Sequence, residues 1–300
     1  MESVGFWKVL RVLTTNACNY KCVFCHNEGQ DKYDGSSNRT LKLNDFKFIV
    51  SALGEAGLSE IQFSGGEPFM NPETLPMIQW ANDYTNLELG CATNTQFFNG
   101  DIIQALARTR IKLNIQFPSL SERKFEAITK TSLYKPLLQN LVKLKDAGVD
   151  FSLNYVLLTP DTSDFEDILP FILDQQINIK ILPFVNKQTL KRNEFRKHMI
   201  PLLDGISHRY EDMNNGSLKW WVKSPNAKDL IVKYIDSPCF EFEFDICKNY
   251  AEIRLLPDLT IQSCLIDTSG NLKLDFDLCE PNQARVQETF QSAWKNFTHC

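Results

Sequence analysis

From Lys8 to Phe184 the sequence alternates between short apolar runs that read as strands and longer segments with helical spacing. The strand-like runs are Lys8–Thr14, Glu60–Ser64, Leu87–Thr93, Ile111–Phe117, Asp150–Leu158 and Ile179–Phe184. Between them Leu43, Phe46, Val50 and Leu53 recur at helical spacing behind Asn44, a candidate cap. Pro72–Tyr84, Asp101–Arg108, Leu137–Ala147 (closing at Gly148) and Phe165–Gln175 continue the series, and a helix is predicted over Asn193–Tyr210. Parallel strands need crossover connections, and right-handed crossovers curl such a sheet into a barrel or part of one. Periodicity alone does not choose between that and an open doubly wound sheet.

The pattern changes at Asn214-Asn215-Gly216, a turn-like cluster, which divides the chain into residues 1–213 and a smaller unit, 214–300. In the second unit, Tyr250–Leu256 and Thr260–Ile266 read as a hairpin around Pro257-Asp258, and Gln283–Phe297 as a final helix. A net charge of -5 gives no electrostatic footprint for nucleic acid or an anionic membrane. No apolar run approaches a membrane span, and Met1–Arg11 lacks a cleavage pattern, so a cytoplasmic location is expected. In a reducing compartment nine cysteines point to metal or redox chemistry rather than a disulfide framework.

Three of those cysteines, Cys18, Cys22 and Cys25, fall where the first predicted strand ends. That edge of a parallel αβ fold carries the chemistry. Three thiolates in eight residues can hold an iron-sulfur cluster and leave one iron open, or hold zinc with His26 as a fourth ligand. The spacing Cys-x3-Cys-x-aromatic-Cys, with Phe24 as the aromatic, resembles the signature of the radical S-adenosylmethionine (SAM) superfamily. Ser64-Gly65-Gly66-Glu67-Pro68 is similar to its Gly-Gly-Glu-Pro motif. Thr93-Asn94-Thr95 stands where that family commonly has Thr-Asn-Gly, and Asn154 where relatives place a polar SAM contact.

The resemblance implies a partial (β/α)6 barrel, a SAM-binding [4Fe-4S] cluster on Cys18, Cys22 and Cys25, and reductive cleavage of SAM to a 5'-deoxyadenosyl radical. It further implies that Ser64, Gly65, Gly66, Glu67, Thr93, Asn94 and Asn154 line SAM, with Phe24 beside the adenine and Glu67 pairing with the methionyl ammonium. Gln116 joins them as a weaker candidate, together with Ser119. A one-electron donor such as flavodoxin or ferredoxin is implied as a partner.

Cys239, Cys247, Cys264, Cys279 and Cys300 lie in the C-terminal unit. Cys247, then Leu256-Pro257-Asp258-Leu259, then Cys264 resembles the hairpin of SPASM and twitch domains, with Leu259 in place of a glycine. The resemblance implies an auxiliary [4Fe-4S] cluster held by Cys247 and Cys264, with Cys239 and Cys300 as further ligands, in a small α+β domain. Residues 239–247 alternate aromatic and acidic side chains and read as a strand, which would set Cys239 and Cys247 about 26 Å apart.

In architecture the chain resembles the GTP 3',8-cyclase family. Ala17, Asn71 and Glu252 replace basic residues of that family, although Arg254 is kept. The loss of positive charge argues against a triphosphate substrate. The expected substrate is a peptide or protein side chain, to be crosslinked, oxidised or epimerised. Alternatives are a small metabolite or nucleotide, and a non-catalytic iron-sulfur or zinc protein.

Overall fold

The computed structural model describes residues 8–25, 39–185, 191–224, 228–237, 241, 243–250, 252–265, 267–277 and 282–295. Its first strand, β1 (Val9–Leu13), shows the rule that builds the rest. Leu10 and Val12 are fully buried on one face, while Val9 and Arg11 turn to the other. After it comes α1 (Leu43–Gly54), burying Phe46, Ile49, Val50 and Leu53 at the spacing of one helical face. Lys42, not Asn44, occupies its cap position and no side chain caps it from there. The Leu43 amide donates instead to the Glu73 carboxylate, a tertiary partner that local spacing does not reveal.

The alternation continues through β2 (Glu60–Ser64), α2 (Thr74–Tyr84), β3 (Glu88–Thr93), α3 (Gly100–Leu106) and β4 (Lys112–Gln116). Two helices, α4 (Glu122–Thr129) and α5 (Tyr134–Asp146), then precede β5 (Phe151–Leu157). Next come α6 (Ser163–Gln175), β6 (Asn178–Pro183) and α7 (Arg192–Ile206). An antiparallel meander follows: β7 (Arg209–Asp212), β8 (Ser217–Lys223) and β9 (Asp229–Ile235). Next come α8 (Phe244–Tyr250), β10 (Glu252–Leu255), β11 (Thr260–Gln262), β12 (Leu272–Lys273) and α9 (Gln283–Lys295).

All twelve strands belong to one sheet, ordered β12-β11-β10-β1-β2-β3-β4-β5-β6-β9-β8-β7. Strands β1 to β6 form a parallel barrel wall. Strand β10 extends it in parallel beyond β1, and β9 does so beyond β6. Eight parallel strands therefore surround the concave face before either edge turns antiparallel.

The predicted hairpin is present as the antiparallel pair β10–β11. The strand predicted across residues 239–247 is not: residues 244–250 are helical. Asp245 in the first turn and Lys248 in the last complement the helix dipole, and Lys248 Nζ donates to the Trp294 carbonyl of α9 at 3.0 Å. The alternating pattern yields to that packing. Over 244–250 the chain is therefore helical and not extended; Cys239, the other end of the expected 26 Å span, lies outside the described residues. Among the described residues no helix is long and apolar enough to cross a membrane.

Convex-face residues such as Leu10, Ile61, Leu113, Leu153 and Ile179 pack beneath the helices. The concave face is polar instead. Arg11, Gln62, Asn114, Lys180 and Lys233 line a cavity of about 500 Å³ near the start of the strands, the end opposite the cysteine loop.

Candidate active site

The C-terminal ends of β1, β2 and β3 are sewn together by backbone contacts. Gly66 N donates to Thr15 O at 2.8 Å and Glu67 N to Ala17 O at 2.7 Å. A Cβ on Gly65 would lie 2.4 Å from Thr15 O, and one on Gly66 1.9 Å from Ala17 O. Both positions require glycine, and what presses on them is the backbone leading into the cysteine loop.

That loop is fixed from the other side by α4: Lys21 N donates to Thr129 O and Val23 N to Ile128 O, each at 3.0 Å. Cys18 and Cys22 are half-buried and Cys25 is exposed. Burial pushes the Cys22 thiol up to about 12, and charge at Cys18 and Cys25 pushes it the same way, so the three sulfurs share one electrostatic neighbourhood. Among the described residues no three His, Cys, Asp or Glu side chains converge as the ligands of a single metal ion. A cluster needs no such convergence, because its thiolates bind different irons. Phe24 is half-buried beside them.

Glu67, 1 % exposed, is the centre of this rim. Its carboxylate accepts from Thr93 Oγ1 at 2.7 Å, from Asn94 N at 2.7 Å and from Phe69 N at 3.3 Å. Burial raises its pKa to about 7 against the lowering effect of those donors. Asn94 Nδ2 reaches Asn19 Oδ1 at 2.7 Å, and Gln96 Nε2 reaches the Tyr20 hydroxyl at 2.9 Å. Thus Glu67, Thr93 and Asn94 act first on one another and on the cysteine loop. Asn19, Tyr20 and Gln96 complete the network, and sequence reasoning missed them because each lacks a motif of its own.

Asn71 is buried too. Its amide donates to Thr14 O at 2.9 Å and Leu41 O at 3.0 Å, which ties the loop after β2 to β1. Thr95 adopts a left-handed backbone, φ 65°, and its buried hydroxyl has no hydrogen-bond partner among the described residues.

Deeper in the lumen, Gln116 of β4 and Asn154 of β5 stand directly across from one another. Among the described residues Gln116 Nε2 and Asn154 Oδ1 are buried without a hydrogen-bond partner, a donor and an acceptor for a polar ligand. Ser119 does not join them. Its hydroxyl donates to Asp164 at 3.2 Å and accepts from Ser121 N, a structural role. These features fit the cluster and SAM: three coupled thiols, a preorganised polar rim and two orphaned amide groups behind it. When bound, that pair supplies the one-electron cleavage of SAM that generates a hydrogen-abstracting radical.

The second cysteine group sits at the far end. Strand β10 starts where β1 starts, and β11 runs back toward that end. Cys247, just before β10, and Cys264, just after β11, are therefore both placed at the N-terminal end of the parallel strands. Cys264 is buried and its sulfur accepts from Asp267 N at 3.2 Å; Cys247 is half-buried. Cys239, Cys279 and Cys300 lie outside the described residues. Glu252, the first residue of β10 and opposite Val9, stands at this same end. It accepts from Arg11 Nε at 2.9 Å and Nη2 at 2.7 Å, and pairs with Arg254 Nη2 at 2.9 Å. Burial opposes its ionisation, but Arg11 and Arg254 overcome this and hold its pKa at about 2. Leu259 keeps the left-handed turn after β10 with φ 68°, although it is not glycine.

A parallel barrel wall with a three-cysteine loop at its C-terminal rim and a glycine-glycine-glutamate turn sewn to that loop defines a radical enzyme. Residues 12–172 match the radical SAM superfamily, and the chain belongs to it. It uses a [4Fe-4S] cluster and SAM as that superfamily does. Over 95% of its length it is 24% identical to a probable GTP 3',8-cyclase of Sulfurisphaera tokodaii, covering 91% of that protein. It is 22% identical to the GTP 3',8-cyclase of Pasteurella multocida, again over 95% of this chain and over 85% of that protein. Among solved structures, SuiB of Streptococcus suis bound to SAM superimposes with a TM-score of 0.66 at 14% identity, over 88% of this chain. The chain spans 62% of that SuiB chain. AnSMEcpe with bound AdoMet gives 0.61 at 12% identity, over 95% of this chain and 83% of that one.

Proposed function

We propose that this radical SAM enzyme abstracts hydrogen from a peptide or protein side chain held in the lumen, as a step of crosslinking, oxidation or epimerisation. In this reading Cys18, Cys22 and Cys25 hold the SAM cluster. Phe24, Ser64, Gly65, Gly66, Glu67, Thr93, Asn94, Gln116 and Asn154 line SAM, and a flavodoxin- or ferredoxin-type donor supplies the electron. Residues 214–300 act as the unit that closes both ends of the sheet and carries an auxiliary cluster on Cys247 and Cys264, with Cys239 and Cys300 as further ligands.

The observation that carries the substrate class is Glu252. A buried carboxylate with its pKa near 2 occupies both guanidinium groups at that level of the lumen, so neither is free for a triphosphate. Solved relatives of the same fold include SuiB bound to its precursor peptide and anSMEcpe bound to a peptide. A nucleotide remains the second reading, favoured by similarity to GTP 3',8-cyclases along nearly the whole chain.

The test is anaerobic turnover of the reconstituted enzyme with SAM, reductant and either a peptide pool or GTP, reading 5'-deoxyadenosine above the uncoupled background. Peptide is expected to stimulate it and GTP to leave it unchanged. A cyclised GTP product would reverse the order of the two readings. Cys264→Ala is expected to lower iron content while sparing the first cluster, and unchanged iron would remove the auxiliary site.

A further inference from the structure

Three lysines stand side by side on the concave face. Lys180 of β6 is in register with Lys233 of β9, and Lys233 with Lys219 of β8. With strands about 4.8 Å apart, the row runs about 10 Å across the sheet. All three line the cavity of about 500 Å³ at the end of the lumen away from the cysteine loop. Like charges directly opposite one another weaken a sheet, so this arrangement works against the fold.

The nearby acids relieve it only in part: Glu60 and Glu252 favour the charged form of Lys180 against burial and the repulsion of Lys233 and Arg11, and Asp150 also lines the cavity. Glu252 is engaged by Arg11 and Arg254, Glu60 accepts from the Gln62 amide, and Glu88 faces Lys112. Glu211, in register with Lys219 on β7, pairs with Arg209. Among the described residues none of the three lysines forms an ion pair. Lys180 Nζ has one neutral partner, Asn114 Oδ1 at 3.0 Å. Burial lowers the pKa of both Lys180 and Lys233, and repulsion within the row adds to the effect.

We propose that the Lys180–Lys233–Lys219 row is a recognition site for a multiply charged anionic group of the substrate, here the carboxylates of an acidic peptide segment. The substrate class rests on the reading above; the anion site does not. A row of ammonium groups about 10 Å long in a cavity of this size matches two carboxylates or one phosphate. An anion seated there would convert three mutually repelling charges into charge-assisted hydrogen bonds. It would also anchor one end of a substrate while another part reaches toward the cysteine loop.

The experiment is calorimetric titration of the anaerobically reconstituted full chain with glutarate and with inorganic phosphate, alongside thermal unfolding in anion-free buffer. Wild type is expected to bind a dianion with an affinity that falls as salt rises. Lys233→Met is expected to weaken that binding at least tenfold while raising Tm, a combination that a merely structural lysine would not give. Lys112→Met, at the same mouth but facing Glu88, is the control and is expected to bind as wild type. Tighter binding of glutarate supports an acidic peptide. Tighter binding of phosphate keeps the site but assigns it to a phosphorylated small molecule, and the peptide reading alone then fails. Absence of binding by wild type, or unchanged binding by Lys233→Met, would overturn the proposal.

Discussion

The two ends of the lumen satisfy their polar groups in opposite ways. At the cysteine end Glu67, Thr93, Asn94, Asn19, Gln96 and Tyr20 close a network before any ligand arrives. At the other end no lysine of the row makes an ion pair among the described residues, and the buried carboxylate of Glu252 is committed to two arginines. A rim serving one invariant cofactor gains from being preorganised, since the geometry is fixed in advance. An end that leaves charge uncompensated gains its stabilisation only when a partner of opposite sign arrives.

The largest effect expected from breaking this contrast is at the cysteine end. Cys22→Ala should abolish 5'-deoxyadenosine formation while the far-ultraviolet circular dichroism stays that of wild type. Retained SAM cleavage would dissociate the loop from the chemistry. At the other end, Glu252→Gln should cost about 3 kcal/mol in urea unfolding, because Arg11 and Arg254 would face Lys180 without their carboxylate. A loss below about 1 kcal/mol would mean that the clamp is as weak as a surface pair.

A smaller effect follows from protons. Burial, Lys233 and Arg11 lower the Lys180 pKa to about 8, while Glu60 and Glu252 oppose the shift. Below pH 8 Lys180 is charged in both folded and unfolded chains. Between pH 8 and its ordinary 10.5 the unfolded chain holds more of the proton, so this group makes stability rise with pH. Lys180→Met should remove that rise, which denaturation across the window reads directly. The smallest effect is at the rim: Thr95→Gly should stabilise by about 1 kcal/mol, by relieving a left-handed β-branched residue and removing an unpartnered hydroxyl. Destabilisation instead would show that the threonine packing outweighs the strain.

The sequence carried the cysteine end more fully than the other. Cys18, Cys22, Cys25 and Glu67 belong to contiguous motifs, and the barrel strands announce themselves by apolar runs. Strands β8 and β9 were equally patterned, with Leu218, Trp220 and Val222 buried between Lys219 and Trp221. Their partner β6 lies on the far side of a helix, so nothing local told which sheet would receive them. The lysine row depends on that register and was invisible for the same reason. Helix α8 shows the converse: a clean alternating pattern becomes helical where its residues pack against α9. Leu259 and Thr95 stand where relatives commonly have glycine, yet both keep the left-handed backbone, because surrounding packing rather than residue choice sets those turns.

The parallel pairing of β10 with β1 also bears on how the chain assembles. Arg11 and Glu252 are 241 residues apart, so one flank of β1 stays unpaired until the strand carrying Glu252 has been synthesised. Such distant closure slows folding, and an uncovered strand edge invites association with other nascent chains. An arginine at the middle of β1 makes that flank a poor template for a stranger, and Glu252 makes it a good one for the chain's own late-arriving strand.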